Sequence, residues 1–252
     1  MELNGTAAIV TGAASGLGAA TAAALAARGV EVLGLDLDRA IDTAASAPDG
    51  VRLVAADVIS ESDVAAALAT LVDGKPLRLA VNCAGIAPPK RILSSSGTHD
   101  LDLFRRVIEI NLIGTFNVLR LAAAVMADTD PDAEGQRGLI VNTASVAAYE
   151  GQIGQAAYSA SKGGVVALTL TAARDLARNG IRVNTIAPGI VNTPMMAGLG
   201  EEVNASLAAS IPFPKRLARP TEFSQLVLMI AEHDYLNGET IRMDGAIRMA
   251  PQ

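Results

Sequence analysis

The chain has 252 residues, of which half are hydrophobic and 18% are charged, so it is far too apolar for a disordered segment and suits one large α/β domain. Its formal charge of −6 disfavours general binding to nucleic acids. A single cysteine excludes a disulfide scaffold. Aromatic residues make up only 3%, so Ala, Val, Leu and Ile must fill the core, as in buried parallel strands.

Short apolar runs alternate with longer Ala-rich segments, and this βαβ rhythm predicts one domain with a Rossmann-like, doubly wound parallel sheet of about seven strands flanked by helices. The predicted strands are Ala7–Thr11, Val30–Asp36, Val51–Ala55, Leu77–Asn82, Leu139–Thr143, Ile181–Ile186 and Glu239–Met243. The predicted helices are Gly16–Arg28, Ser62–Val72, Leu101–Met126, Gln155–Ala177 and Thr221–Ala231.

Three regions interrupt this alternation. Ala87–Asp100 and Asp128–Gly138 are predicted insertion loops rich in Pro, Ser, Gly or Asp. The stretch from Pro188 to Pro220 is predicted to carry one short helix and to act as a substrate loop or lid. Gly, Asp, Arg or Asn breaks every long apolar stretch before the ~20 residues that a spanning helix needs, so we expect no membrane segment.

The first predicted strand leads into a glycine-rich turn at the start of a helix. Gly12, Gly16 and Gly18 allow a tight turn and a close approach to a pyrophosphate, while the helix N-terminus offers free N–H groups. The spacing is longer than in the common dinucleotide fingerprint, although the same physics serves it. A turn that only joins strand to helix is the alternative, but its place at the first βα junction favours dinucleotide binding.

Acidic residues follow the second and third strands. Asp36 stands where a carboxylate accepts hydrogen bonds from a ribose diol and repels a 2′-phosphate. No cation occupies Ala13, Ala14 or Leu37, so the sequence predicts NAD rather than NADP. Asp57 follows the third strand at the same edge, where an adenine would lie.

The fourth strand ends in Asn82–Gly85, where the strand order of such a sheet would reverse and open a crevice. Small residues there leave room for a cofactor. We interpret Cys83 as an inert thiol, because no base adjoins it in the sequence. His99 and His233 are isolated and lack the spacing of metal ligands, so we expect no metal.

A serine, a tyrosine and a lysine carry the clearest chemistry. Tyr158 and Lys162 are four residues apart on one helical face, and a nearby cation favours phenolate, whose reference pKa near ~10 otherwise makes it a poor base. Ser145 would hold the substrate oxygen. Alone, such a Tyr–Lys pair is usually a solvated surface pair, but beside a phosphate turn we interpret it as catalytic. No nucleophile elbow surrounds Ser145, which excludes a Ser/His/Asp hydrolase.

Asn111 lies inside the predicted helix Leu101–Met126, where its weak helix propensity suggests another role. It would either distort the helix and hold a water or tie two helices together.

Together these features resemble the short-chain dehydrogenase/reductase family over nearly the whole chain. The matching residues are Thr11, Gly12, Gly16, Gly18, Asn82–Gly85, Asn111, Ser145, Tyr158, Lys162, Pro188 and Gly189. Cys83 departs from the pattern, since many members have a second Asn there. Longer runs, such as Asn142–Ala148, Gly154–Tyr158 and Asp244–Met249, are similar to the type-2 3-hydroxyacyl-CoA dehydrogenases of that family, also known as 17β-hydroxysteroid dehydrogenases.

The resemblance implies a homotetramer that binds NAD. The implied cofactor-binding residues are Gly12, Ser15, Gly16, Leu17, Gly18, Asp36, Asp57, Val58, Cys83, Ala84, Gly85, Tyr158, Lys162, Pro188, Val191 and Thr193. The implied catalytic residues are Asn111, Ser145, Tyr158 and Lys162, with Gln155 joining Ser145 and Tyr158 at the substrate. Animal mitochondrial members carry additional residues before the first strand, so we expect this chain to be cytoplasmic.

The resemblance further implies interconversion of short-chain 3-hydroxyacyl-CoA and 3-oxoacyl-CoA. A hydroxysteroid, another secondary alcohol or a 3-oxoacyl reductase substrate would use the same catalytic residues. Lys90, Arg91 and Lys215 are candidates to meet a CoA phosphate, although exposed cations on loops are more often only solvated. A catalytically idle RNA-associated scaffold is the alternative from another class, which the negative charge disfavours. We therefore expect an acyl-CoA partner, with neither nucleic acid nor membrane.

Overall fold

A parallel sheet of seven strands organises the protein in the computed structural model, which describes residues 1–44, 47, 49–71, 74–197 and 200–251. The strands in chain order are β1 (Ala7–Thr11), β2 (Glu31–Asp36), β3 (Val51–Ala55), β4 (Leu77–Asn82), β5 (Leu93–Ser94), β6 (Gly97–Thr98), β7 (Gly138–Thr143), β8 (Ile181–Pro188) and β9 (Thr240–Met243). The sheet order is β3-β2-β1-β4-β7-β8-β9, and each adjacent pair is parallel. The predicted doubly wound sheet is therefore confirmed.

Helices cover both faces of the sheet. In chain order they are α1 (Gly16–Ala26), α2 (Asp38–Ile41), α3 (Glu61–Leu68), α4 (Leu101–Ile108), α5 (Thr115–Ala127), α6 (Ala156–Leu176), α7 (Pro194–Ala197), α8 (Glu201–Ser210) and α9 (Pro220–Glu232). The helix predicted over Ser62–Val72 begins one residue earlier, after the N-cap Ser60 whose hydroxyl accepts from the Asp63 amide, and ends at Leu68. Its predicted end, Val72, lies outside the described residues.

Alternating residues of the central strands build two apolar cores. Ile9 of β1 and Ile140 of β7 face the side covered by α3, α5 and α6. Their neighbours Val10 and Val141 face the other side, where they meet α1 and α9 through residues such as Phe223. This period of two explains why short strands buried on both faces read as continuous apolar runs in the sequence.

The helix predicted as a single element over Leu101–Met126 is interrupted, which corrects that prediction. A π-helical turn spans Glu109–Gly114 between α4 and α5. The buried Asn111 side chain bonds across to the backbone of Ile86, and its own carbonyl accepts from the Thr115 hydroxyl. These bonds replace regular helical geometry, as expected of the distortion that Asn111 was predicted to cause.

Two predicted irregular regions carry more structure than expected. Ala87–Asp100 contains the antiparallel pair β5–β6, a local hairpin whose turn is Ser95 and Ser96 and whose second strand starts at Gly97 with φ 108°. Between Pro188 and Pro220 the described residues form two helices, α7 and α8, where one short helix was predicted. Residues 198 and 199 of that stretch lie outside the described residues.

The helical run Leu101–Ala127 is long and apolar enough to cross a membrane by length and composition, so the expectation that no stretch reaches this length was wrong. Its most apolar window has a mean hydropathy of 1.6 despite the interrupting Gly and Asn residues. Half of that window is buried inside the protein, and Val118, Ala122 and Met126 belong to the core on one face of the sheet. The placement is that of a core helix.

Candidate active site

The predicted cofactor residues meet where the strand order reverses between β1 and β4. The buried Thr11 hydroxyl accepts hydrogen bonds from the amides of Cys83 and Ala84, both at 3.1 Å. A Cβ on Gly12, which has φ +67°, would lie 3.0 Å from the Ala84 nitrogen. The turn after β1 and the end of β4 are thus in backbone contact, and this junction is the crevice that doubly wound sheets use for ligands.

At the glycine-rich turn the backbone packs against itself so closely that only residues without a Cβ fit. A Cβ on Gly18 would lie 2.1 Å from the Gly12 carbonyl oxygen, so α1 must start pressed against the turn. Ser15 is the N-cap of α1 and makes no side-chain cap bond, and the amides of Gly16 and Leu17 open the helix, where they lack intrahelical acceptors. This is a cradle for a phosphate group. Thr193 lies beside it, with its Cγ2 3.5 Å from a Cβ placed on Gly16.

Asp36 lies at the carboxyl edge of the sheet, next to that cradle. Its Oδ2 accepts from the Ala14 amide at 3.0 Å and its Oδ1 from the Leu37 amide at 2.9 Å. Each carboxylate oxygen has a second lone pair, so a ribose diol still finds acceptors there. The bond from Ala14 also fixes the phosphate turn against β2.

Asp57, which was predicted beside the adenine, and the next residue, Val58, follow β3 at the same edge of the sheet. The Asp57 carboxylate accepts from the Ile59 amide at 3.1 Å. Val58 is buried, its carbonyl accepts from the Asn117 side chain, and its Cγ2 would lie 2.7 Å from a Cβ on Gly114. Val58 therefore also packs against the π-helical turn.

The catalytic candidates converge on the neighbouring strand end. Ser145 lies two residues after the end of β7 and is the N-cap of a 3₁₀ turn over Val146–Ala148. Helix α6 carries Tyr158 and Lys162, with the Lys162 Nζ 5.8 Å from the centre of the phenol ring. Lys162 is buried, and its ammonium donates to the Thr143 carbonyl at 2.6 Å.

Burial dominates the acid–base properties of this pair. It raises the pKa of Tyr158, and the Ser145 hydroxyl offsets part of that rise. The expectation that Lys162 holds this pKa low is not met, because burial is the largest cause of the shift and only the Ser145 hydroxyl acts against it. Burial also lowers the pKa of Lys162 to about 8. At neutral pH the structure therefore presents a protonated phenol beside an ammonium that loses its proton readily.

Asn111 connects the π-helical turn to the catalytic helix. Its Nδ2 donates to the Ser161 hydroxyl at 3.0 Å and to the Ile86 carbonyl at 2.9 Å. A Cβ on Gly85 would lie 3.1 Å from the Asn111 Oδ1 and 3.7 Å from the Lys162 Nζ. Ser161 was not predicted as a site residue, although a serine inside a helix is a weak helix former like Asn111, and the structure buries it.

Gln155 lies at the N-terminus of α6, where its Oε1 accepts from the Gln152 amide at 3.0 Å. It lines an open groove of about 520 Å³. The groove is bounded by Arg91, Ile92, Leu93, Gly151, Gln152, Ile153, Gly154, Gln155, Ala156 and Ser159. The partly exposed Gln155 therefore faces a space between the Ala87–Asp100 insertion loop and the loop that precedes α6.

The segment after β8 brings the last cofactor candidates to the same edge. Pro188 ends β8, and Gly189 packs so closely on Asp244 that a Cβ on the glycine would lie 2.9 Å from it. The Val191 side chain is buried and its backbone bridges to Ala218. Of the predicted pair Val191 and Thr193, only Thr193 contacts the glycine turn among the described contacts.

Cys83 and the acidic residues do not add a second chemistry. Burial raises the pKa of the Cys83 thiol to about 12, which agrees with the interpretation of an inert cysteine. Within the ranges that the structure describes, no three His, Cys, Asp or Glu residues are grouped to hold a metal ion.

Comparisons with known proteins agree with this arrangement. A family model described as "Enoyl-(Acyl carrier protein) reductase" matches residues 12–247. The chain is 54% identical over 249 residues to the "3-hydroxyacyl-CoA dehydrogenase type-2" of Drosophila melanogaster, covering 96% of this chain and 97% of the relative. It is 53% identical over 256 residues to the Homo sapiens protein of the same name, covering 99% and 98%. The crystal structure of 3-hydroxyacyl-CoA dehydrogenase type-2 from Mycobacterium avium superposes with a TM-score of 0.92 at 45% identity, covering 98% of each chain.

Proposed function

From the premise that the chain belongs to the short-chain dehydrogenase/reductase family, we propose that it interconverts short-chain 3-hydroxyacyl-CoA and 3-oxoacyl-CoA with NAD as coenzyme. The protein is an oxidoreductase that uses a nicotinamide cofactor. The observation that carries the finer proposal is the similarity, at more than half of all positions and over nearly the full length, to two dehydrogenases named for that reaction.

The residues of the crevice fit a dinucleotide. The space that Gly12 and Gly18 leave open, together with the N-terminus of α1, suits a pyrophosphate, and Thr193 borders that space on the substrate side. When bound, the nicotinamide supplies the acceptor or donor for hydride. We assign ribose contacts to Asp36 and Lys162, and adenine contacts to Asp57 and Val58.

Asp36 supports NAD over NADP. Its carboxylate stands at the end of β2 and is held there by the Ala14 and Leu37 amides, so a 2′-phosphate would be placed against a fixed negative charge. Arg39, the nearby cation, is exposed on α2 and not paired with Asp36 in the described contacts. Replacing Asp36 with Ala should therefore raise the catalytic efficiency with NADPH relative to NADH, which parallel titrations of the two coenzymes would measure.

We propose that Tyr158 moves the proton. In ketone reduction the Tyr158 phenol donates its proton to the substrate oxygen, which Ser145 orients by a hydrogen bond. In alcohol oxidation the deprotonated Tyr158 accepts that proton. The raised pKa of Tyr158 keeps the phenol protonated at neutral pH, which suits reduction, and predicts that oxidation speeds up as the pH rises.

Lys162 and Asn111 support that transfer. The Lys162 ammonium lies near the phenol ring and is aligned by the Thr143 carbonyl, so it stabilises negative charge that develops on Tyr158. Asn111 is fixed by Ile86 and Ser161 beside Lys162, and we propose that it carries a water that links Lys162 to a proton relay.

A homotetramer is part of the proposal. Ile113 and Phe116 on the helical run and Leu170 on α6 are 45–50% exposed despite their size. Apolar side chains in such positions are suited to helix-to-helix contact between copies of the chain. Light scattering on the purified protein tests this, and a monomer at micromolar concentration would contradict it.

The test of function is NADH absorbance during reduction of acetoacetyl-CoA, run beside a steroid ketone and a simple ketone. We expect NADH-specific turnover of the thioester with a higher kcat/KM than for either competitor. Turnover of the steroid or simple ketone without turnover of the thioester would keep the oxidoreductase and discard the acyl-CoA substrate.

A further inference from the structure

The segment from Arg242 to Pro251, which we call the C-terminal brace, contacts both the predicted substrate loop Pro188–Pro220 and the loop that carries Gln155. Ile247 is buried with Ile190 and Ile211, so the brace packs under the segment that carries α7 and α8. Beyond this cluster, the Ile153 amide donates to the Pro251 carbonyl at 3.0 Å. The brace therefore lies between the stretch after β8 and the loop that joins Ser145 to α6.

A chelated ion pair makes the strongest of these contacts. Arg242, at the end of β9, donates from Nη1 to the Glu150 Oε1 at 2.8 Å and from Nη2 to the Glu150 Oε2 at 2.9 Å. The guanidinium also lies 5.3 Å from the centre of the Tyr149 ring. Both charged side chains are only 22–23% exposed, so solvent competes less than at an ordinary surface pair.

Further bonds balance the charges of this pair. Arg242 Nε donates to the Asp244 Oδ2 at 2.7 Å, and Arg248 contacts both Asp244 and Glu150. The Met249 amide points at the Glu150 Oε2 at 3.5 Å. Two carboxylates and two guanidinium groups thus form one network, in which Glu150 is the member from the loop before α6.

The loop from Tyr149 to Gln155 needs such a support. Only a short 3₁₀ turn precedes it, and it forms no strand or helix of its own before α6. Gly154 has φ +91° and Gly151 faces Ser159 so closely that a Cβ there would lie 2.2 Å from the hydroxyl. The Lys90 amide donates to the Gly154 carbonyl at 2.8 Å on one side of the loop, and on the other side contacts with the brace set where Gln155 and the groove wall stand relative to Tyr158.

We infer that Glu150 and Arg242 are positioning residues that hold the Tyr149–Gln155 loop, and so set the affinity for the acyl-CoA without taking part in proton transfer. This inference rests on the proposed function for the identity of the substrate. Neither residue belongs to the glycine turn, to the Asp36 site or to the Tyr158 pair, so coenzyme binding should be preserved.

The test compares Glu150→Gln, Arg242→Gln and the double variant with the wild type. For Glu150→Gln we expect the KM for acetoacetyl-CoA to rise about tenfold, while kcat and the KM for NADH stay within about twofold. The double variant should be no worse than the poorer single variant, because both substitutions break one contact. Glu31→Gln is the matched control, since it removes a carboxylate paired with Lys75 at 3.4 Å near the amino ends of the strands.

Each outcome decides the inference. An unchanged KM for the thioester in folded Glu150→Gln overturns it, as does an equal rise in the KM for NADH. If Arg242→Gln does not fold, Arg242→Lys replaces it, which retains the charge without the paired donors and should give an intermediate KM.

Failure of the proposed function would be visible separately, as a wild type that does not turn over the thioester. Hydrogen exchange in the cofactor-free protein then tests whether the contact between Glu150 and Arg242 holds the loop. Glu150→Gln should speed exchange in residues 149–155 and 244–251 together, and unchanged exchange in both segments overturns the inference.

Discussion

The cofactor side and the substrate side of the crevice are held by different kinds of contact. On the cofactor side, Thr11, Gly12 and Gly18 bring backbone against backbone, so the geometry follows from the absence of Cβ atoms and from two hydrogen bonds to the Thr11 hydroxyl. On the substrate side, a loop and two short helices depend on side chains from the C-terminal brace, such as Arg242 on Glu150. The geometry of the cofactor side is therefore set by backbone contacts. The geometry of the substrate side is set by a few side chains, so we expect single substitutions to change it.

The largest expected effect lies where the two sides meet. Tyr158→Phe should lower kcat by about 10²–10⁴-fold, the typical contribution of a general acid or base, while the affinity for NADH stays within a few-fold. Steady-state turnover and fluorescence titration with NADH on the same preparation measure both quantities. Near-normal turnover would contradict the role of Tyr158 in proton transfer.

The backbone contacts of the cofactor side are tested by Gly18→Ala. The new Cβ would meet the Gly12 carbonyl, so the turn must shift, and we expect a loss of about 1–3 kcal/mol in the free energy of unfolding together with weaker NADH binding. Gly163→Ala is the control, because nothing lies within 4 Å of its added Cβ and alanine favours the helix by about 0.5–1 kcal/mol. Equal effects of the two substitutions would contradict the close approach.

Lys162→Met separates function from stability inside the crevice. Burial lowers the pKa of Lys162 from 10.5 to about 8, so between these pH values the unfolded chain binds a proton that the folded protein has released. The contribution of this residue to stability is therefore constant below pH 8 and rises with pH from 8 to 10.5. Urea unfolding between pH 8 and 9 should show the rise in the wild type and its loss in Lys162→Met, because above pH 9 the raised pKa of Cys83 changes stability in the opposite direction. Lys75→Met controls for the change in net charge.

The smallest effect belongs to the surface. Arg216 and then the Arg219 amide lower the pKa of Glu222 from 4.5 to about 2 at the start of α9. A lowered carboxyl pKa stabilises the fold above pH 4.5, and that contribution is lost as the pH falls towards 2. Glu222→Gln should flatten the decline in the urea midpoint between pH 5 and 3, while NADH binding at neutral pH is unaffected. A decline as steep as that of the wild type would contradict the assignment.

The local features of the cofactor side could be predicted from the sequence, whereas the long-range contacts of the substrate side could not. The tight turn with Gly12 and Gly18 and the i,i+4 pair of Tyr158 and Lys162 are local patterns, because they depend on neighbours in the chain. The structure brings both patterns to the crevice. The weak helix propensity of Asn111 likewise pointed to the distortion that the structure contains.

Long-range contacts could not be predicted from the sequence. Glu150 and Arg242 are 92 residues apart, and nothing in the spacing of charges announces their pairing. The direction of the pKa shift at Tyr158 was also missed, because it depends on burial by the whole fold rather than on the helix that carries Lys162. Two helices in place of one after β8 reflect packing onto Ile247, which closes the chain from its far end.

The most direct test of the central claim is NADH formation from NAD⁺ and 3-hydroxybutyryl-CoA by the wild-type protein, with NADP⁺ and a secondary alcohol without CoA in parallel. We expect rapid NADH formation from the thioester that increases with pH and falls sharply with NADP⁺ or without CoA. Equal rates with the two coenzymes, or oxidation of the simple alcohol alone, would contradict it.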